Sequence, residues 1–189
     1  MTDDDDESGT PQAVVLDYLP HGRSDDDRPQ YQKQPVGYAV SIEEFRLYEL
    51  VFAEDSDVSI GDTVPVETEG PVERLREIAY EDLSGGANSE LEYAIHDIID
   101  DNEQRFVDFY NDAPPITTRL HALNLLPGIG KKLRNNILDT RKRRPFESFA
   151  DIEARVDGLH DPREVLVERI IEEIREDDLK YRTFAKREE

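Results

Sequence analysis

Leu125-Leu126-Pro127-Gly128-Ile129-Gly130-Lys131-Lys132-Leu133 sets two glycines around one apolar residue, and two lysines follow at once. Without a Cβ the chain can turn sharply at Gly128 and Gly130. The N–H groups of such a turn, with those opening the next helix, form a small anion site. Lys131 and Lys132 stand where they would reinforce it. Contacts of this kind hold a nucleic-acid phosphate without reading a base.

The charge around this stretch sets it apart. The chain has 189 residues with 45 acids and 23 bases, a formal charge of −22. Residues 117–146 carry eight bases (Arg119, Lys131, Lys132, Arg134, Arg141, Lys142, Arg143, Arg144) and one acid, Asp139. The first 116 residues carry seven bases and thirty acids, and residues 147–189 eight bases and fourteen acids. One basic island therefore lies in an acidic chain, and the glycine turn is inside it. A free-standing nucleic-acid binder is usually basic, so the acid excess needs its own reason. Arginine (17) outnumbers lysine (6) and cysteine is absent. This composition resembles that of a salt-in halophilic archaeon, where acidic surfaces keep proteins soluble in concentrated KCl. The competing reading is an acidic partner-binding protein in ordinary cytosol.

Working outward, helical periodicity is expected on both sides of the turn. Thr117 or Thr118 would cap a helix carrying Leu120 and Leu123 into it, and a second helix would run from Lys131 to about Arg143, stopped by Pro145. Ser148 would cap a helix from Phe149 to Val156, and a last helix from Pro162 would bury Leu166, Ile170 and Ile174. Upstream, Ser89 is the expected cap of a long helix to about Asn111, with Leu91, Ile95, Ile98, Ile99, Phe106 and Phe109 on one face. Val72 to Tyr80 reads as a short amphipathic helix after Pro71, broken by Gly85-Gly86. Short apolar runs at 13–19, 35–40, 45–52 and 60–66 read as strands. The Gly61-Asp62 turn into a valine-rich strand suits a small OB- or S1-like barrel.

The expected fold class is α+β, an OB/S1-like barrel followed by an all-α domain. The expected parts are an acidic disordered tail (1–11), a β domain (12–70), connecting helices (71–115), a helical hairpin domain (116–180) and a charged tail (181–189). Thirty residues after Gly128, Val156-Asp157-Gly158-Leu159-His160-Asp161-Pro162 echoes the turn. Leu159 matches Ile129, but His160 replaces Gly130 and Asp161 replaces Lys131. This second turn reads as structural and the first as functional. The cluster Arg141-Lys142-Arg143-Arg144 admits two readings. It is either a set of cations suited to a helix C-terminus or a second phosphate contact, roughly 15–18 Å from Lys131 along the helix.

No motif supports catalysis. The histidines 21, 96, 121 and 160 have no ligand spacing, and there is no phosphate loop or nucleophile elbow. The expectation is no enzyme, no metal and no cofactor. No disulfide is possible, no apolar run is long enough to span a membrane, and the acidic N-terminus is unlike a signal peptide. A cytoplasmic protein is expected.

Helix, Leu-Pro-Gly-Ile-Gly turn and basic helix together resemble the helix-hairpin-helix, a motif that binds nucleic acid without sequence specificity. The resemblance implies that the amides near Gly128 and Gly130 approach phosphate, that Ile129 plugs the turn into the core, and that Lys131 and Lys132 add charge-assisted contacts, extended by Arg134. A purely structural αα-turn is the alternative. Residues 102–113, 116–123, the turn and Phe146–Ile152 together resemble an archaeal domain-of-unknown-function family expected to bind RNA or nucleotides. That resemblance implies an OB-like N-terminal part and a helix-hairpin-helix C-terminal part. The expected function is non-enzymatic binding of RNA, preferred over DNA, through Gly128, Ile129, Gly130, Lys131, Lys132, Arg134 and the 141–144 cluster. The alternative is an adaptor docking ribosomal or transcription proteins.

Overall fold

Short β-branched runs give five strands: β1 (Gln12–Leu19), β2 (Val36–Ser41), β3 (Leu47–Phe52), β4 (Thr63–Pro65) and β5 (Val72–Glu77). The computed structural model describes residues 9–188, so the expectation for the first eight residues lies outside it. The strands pair antiparallel in the order β4-β1-β2-β3-β5, a curled half-barrel sheet. The acidic tail expected to reach residue 11 ends sooner, because Pro11 O accepts the Val66 N–H at 2.8 Å.

Two irregularities shape the sheet. Along β1 the pairing steps from Val15–Ala39 to Asp17–Tyr38, which leaves Leu16 as an extra residue. A bulge reverses the in–out alternation of a strand. Ala13 and Val15 before it and Tyr18 after it therefore all pack with Ala39, Leu50 and Phe52. A second shift, from Val51–Arg74 to Phe52–Val72, skips Glu73 in β5. Val72 and Leu75, three residues apart, thereby reach the same apolar cluster. That spacing is what made Val72–Tyr80 read as a helix; it is a bulged strand, and a 3₁₀ turn at Tyr80–Asp82 follows.

Five helices follow: α1 (Gly85–Asp101), α2 (Glu103–Asp112), α3 (Lys131–Arg143), α4 (Phe149–Arg155) and α5 (Pro162–Arg175). The glycine pair 85–86 opens α1 rather than breaking a helix. Ser84 Oγ accepts the Ala87 N–H at 3.1 Å and donates to Asp17 Oδ2 at 2.6 Å. A Cβ at Gly86 would lie 2.8 Å from that same carboxylate oxygen, so a larger residue there would have to displace the Asp17 side chain. Ser89, the expected cap, lies inside the helix and donates to Gly85 O. The single long helix expected here divides at Asn102 (φ −133°, ψ 39°), whose Nδ2 donates to Ile98 O.

The chain divides into two compact units, residues 9–94 with 184–188, and Ile95–Thr183. In the second, Ile95, Ile99, Phe106, Leu123, Ile137, Phe146, Ile152, Leu166 and Ile170 are all at most 2% exposed and form its interior. The terminal segment is packed rather than a free tail. Thr183 N–H donates to the fully buried Glu173, and Arg169 Nη2 donates to Tyr181 O at 2.6 Å. In the first unit Lys186 N–H donates to Glu44 O at 2.9 Å and Ala185 is buried.

Candidate nucleic-acid interface

The approach to the glycine turn is not the helix expected from Thr117. Pro114 and Pro115 supply no N–H, and a helix cannot continue through them. Thr117 Oγ1 instead accepts the N–H groups of Arg119 and Leu120, closing a tight loop. A single bridge then pairs Pro115 with His121, and the four-residue 3₁₀ helix Ala122–Leu125 leads into the turn. The arm before the turn is thus one short turn long, while α3 after it has 13 residues.

In the turn Gly128 takes φ +78°, a left-handed conformation that favours glycine. Ile129 N–H donates to Leu126 O at 3.3 Å, and both side chains are buried, so the turn is pinned by its apolar residues. Gly130 is the N-cap of α3 in extended backbone (φ −89°, ψ −168°), which any residue adopts, and a Cβ there would meet nothing within 4 Å. Nothing in the fold demands glycine at 130. The cap carries no side-chain acceptor for the first N–H groups of α3, and Lys131 and Lys132 there are exposed. Neither lysine is paired among the described residues.

The second turn repeats this geometry with a different ending. Gly158 takes φ +89°, and Leu159 N–H donates to Val156 O at 3.4 Å with both side chains buried. Here, however, Asp161 caps α5, its carboxylate accepting the Glu164 N–H at 3.1 Å. The second turn places a carboxylate at its helix N-terminus, and the first does not.

The structure sorts the remaining candidates. Arg134 is committed to the turn itself. Its Nη1 donates to Asn124 Oδ1 at 3.0 Å, while Asn124 Nδ2 donates to Ile129 O at 3.2 Å. Arg141 closes the end of α2, donating to Tyr110 O and Ala113 O at 3.3 and 3.0 Å, and burial pulls its guanidinium below the ordinary value. Arg144 approaches Asp151 at 3.8 Å. Lys142 and Arg143 are exposed and unpaired among the described residues. Among the described residues the free cations of the island are thus Lys131 and Lys132 at one end of α3, Lys142 and Arg143 at the other, and the exposed Arg119 in the loop before the turn.

Asn124 and His121 were not expected at the site. Asn124 Oδ1 also accepts the His121 N–H at 3.1 Å, so one amide ties the 3₁₀ turn, the glycine turn and α3 together. His121 is 6% exposed; its Nδ1 accepts the Leu123 N–H, and its buried Nε2 has no partner. Burial first, then Arg141 and Arg134, push its pKa below the ordinary histidine value. An asparagine and a histidine among eight apolar and basic neighbours carry no sequence signal for this role.

A curled antiparallel sheet and a helical unit carrying two glycine turns, of which only the second has a side-chain cap on its helix, define an α+β protein. The chain belongs to the family described as Protein of unknown function (DUF655), which matches residues 10–186. It is 37% identical over 179 residues to Uncharacterized protein MJ0038 of Methanocaldococcus jannaschii, covering 92% of this chain and 79% of that one. The crystal structure of Af1531 from Archaeoglobus fulgidus, a DUF655 family structure, superposes with a TM-score of 0.85 at 40% identity, covering 93% of this chain and 99% of that one. The family's relatives found here are archaeal. No helix among the described residues is long and apolar enough to cross a membrane.

Proposed function

We propose that this is a non-enzymatic nucleic-acid-binding protein of the cytoplasm that holds backbone phosphate, of RNA in preference to DNA, at the N-terminus of α3. The observation that carries this reading is the contrast between the two turns. They share a left-handed glycine, a buried plug residue and the same backbone bond, but only the second supplies a carboxylate to its helix N-terminus. Four N–H groups at a helix start need acceptors. Where the chain provides none and sets lysines alongside, a phosphate oxygen completes the set. The helix-hairpin-helix assignment and an OB-like role for the sheet belong to the same proposal. The arm before the turn is shorter than that motif implies, and the turn itself is retained.

Gel-shift titration of single-stranded RNA and of duplex DNA against the native chain and Gly130→Asp tests the reading. Loss of binding with the fold intact supports it; unchanged affinity sinks it. Proteins retained in a high-salt pull-down after nuclease treatment would favour the adaptor reading instead.

A further inference from the structure

Cations are scarce in the first unit, yet they converge. Residues 9–94 with 184–188 hold eight bases, Arg23, Arg28, Lys33, Arg46, Arg74, Arg76, Lys186 and Arg187. Four of these, Arg23, Arg28, Arg74 and Arg76, line one cleft of about 590 Å³ beside β2, β3 and β5. Pockets for small organic ligands run to roughly 300–1,000 Å³. The arginines come from two separate stretches, the β1–β2 loop and β5, so chain proximity alone does not explain the cluster.

The cleft is layered. At the back, Glu49 is 9% exposed, and its two carboxylate oxygens accept from Arg23 Nη1 at 3.3 Å and Arg76 Nε at 3.1 Å. One buried carboxylate thus holds two guanidiniums apart and in place. At the front, the side chains of Arg76 and Arg28 are 56% and 55% exposed. Arg28 is paired with Asp26 at 2.7 Å, and Arg23 also with Asp25 at 2.6 Å. Exposed Arg74 meets only the amide oxygen of Gln34, at 3.3 Å. Counting every lining side chain, four guanidiniums face three carboxylates, a net positive surface in the most acidic part of the chain. Arg74 and Arg76 alternate on β5 and share one face of the strand. Between the charges lie Val36 and Val51, edged by Gln34, while Leu75 beside them turns its side chain to the apolar cluster on the other face of the sheet.

We propose that this cleft binds a nucleotide unit, independently of the glycine turn. Guanidinium forks match phosphate oxygens in pairs, which an ammonium does not. The apolar surface of Val36 and Val51 suits the face of a base, and Gln34, whose amide oxygen accepts from Arg74 and whose amide nitrogen donates to Glu73, fixes the edge of the cleft. The nucleotide can be a free mononucleotide or one residue of a single strand, and the test separates the two.

Isothermal titration of the full chain with AMP, UMP and short single-stranded oligouridylate is compared across the native protein, Arg74→Gln/Arg76→Gln and Gly130→Asp. If a mononucleotide is the ligand, AMP or UMP binds, the double variant weakens it by about tenfold or more, and Gly130→Asp leaves it unchanged. If a strand is the ligand, the mononucleotides fail. Oligouridylate then keeps measurable affinity for Gly130→Asp, and the double variant removes about tenfold of the affinity. Absence of binding by every probe, equal binding by the double variant, or binding of polyglutamate in their place overturns the proposal. Should loss of Arg76 unfold the sheet by stranding Glu49, Arg74→Gln alone carries the test, since Arg74 has no carboxylate partner among the described residues. Failure at Gly130 with success at Arg74 refutes the turn and not the cleft, and the reverse outcome refutes only the cleft.

Discussion

Replacing Gly130 with aspartate gives α3 a carboxylate at its N-cap, the role Asp161 fills for α5 one residue later in its own turn. Gly130 already has the extended backbone of an N-cap, and its Cβ position is open to 4 Å, so the substitution enters without strain. The new carboxylate can accept an N–H of the first turn of α3, as Asp161 accepts that of Glu164 at 3.1 Å. Aspartate exceeds glycine as an N-cap by only a few tenths of a kcal/mol. Stability should therefore stay level or rise slightly, read by urea denaturation. Binding should collapse, because the carboxylate occupies the donors that a phosphate would use. Two charge-assisted hydrogen bonds at the low end of about 1.5–3 kcal/mol each amount to roughly a hundredfold in Kd or more. Fluorescence anisotropy with labelled RNA should be run in molar KCl, where a Debye length of about 3 Å removes long-range effects and leaves the short contacts. Undiminished affinity would refute the reasoning. So would a stability loss above about 1 kcal/mol, because binding would then have failed through the fold.

Three further outcomes follow from the same geometry. Lys131→Gln/Lys132→Gln should flatten the plot of log affinity against log salt by about 1.4, from a slope of roughly 0.7 per phosphate contact on single strands; an unchanged slope would remove both lysines from the interface. Tyr110→Phe should cost about 1–3 kcal/mol in urea denaturation, because the buried hydroxyl donates to Pro162 O at 2.7 Å and its loss strands that carbonyl. His121, with a folded pKa below 6.5, stabilises the fold as the neutral ring. That contribution is full above the ordinary value and is lost as pH falls from there through the folded pKa. The native chain should therefore lose thermal stability over this window more steeply than His121→Gln, and parallel profiles would show that His121 does not titrate with folding.

The glycine turns were legible because their cause is local. A left-handed residue needs glycine wherever it occurs, and an apolar residue between helices needs burial, so Gly128, Ile129, Gly158 and Leu159 stood out from neighbours alone. The ends of α3, α4 and α5 were legible for the same reason, since Gly130, Ser148 and Pro162 act on their own backbones. The contrast between the two turns was visible as a pair of substitutions, although not as a side-chain cap on α5 and none on α3.

What only the tertiary structure decided depended on distant partners. Val72–Glu77 has a helical spacing, but β3 offers an edge, and a bulge at Glu73 turns that spacing into a strand with Val72 and Leu75 on one face. Gly85-Gly86 reads as a breaker until Asp17, some seventy residues earlier, packs its carboxylate against Gly86 and bonds the Ser84 hydroxyl at the start of α1. Arg134 and Arg141 belong to the basic island by sequence, yet Asn124 and the carbonyls ending α2 hold their guanidiniums. Arginines 23, 28, 74 and 76 look scattered until sheet pairing gathers them around Glu49. Backbone conformation is a property of a few adjacent residues, whereas strand pairing and charge neutralisation are settled by whichever groups the fold brings within about 4 Å.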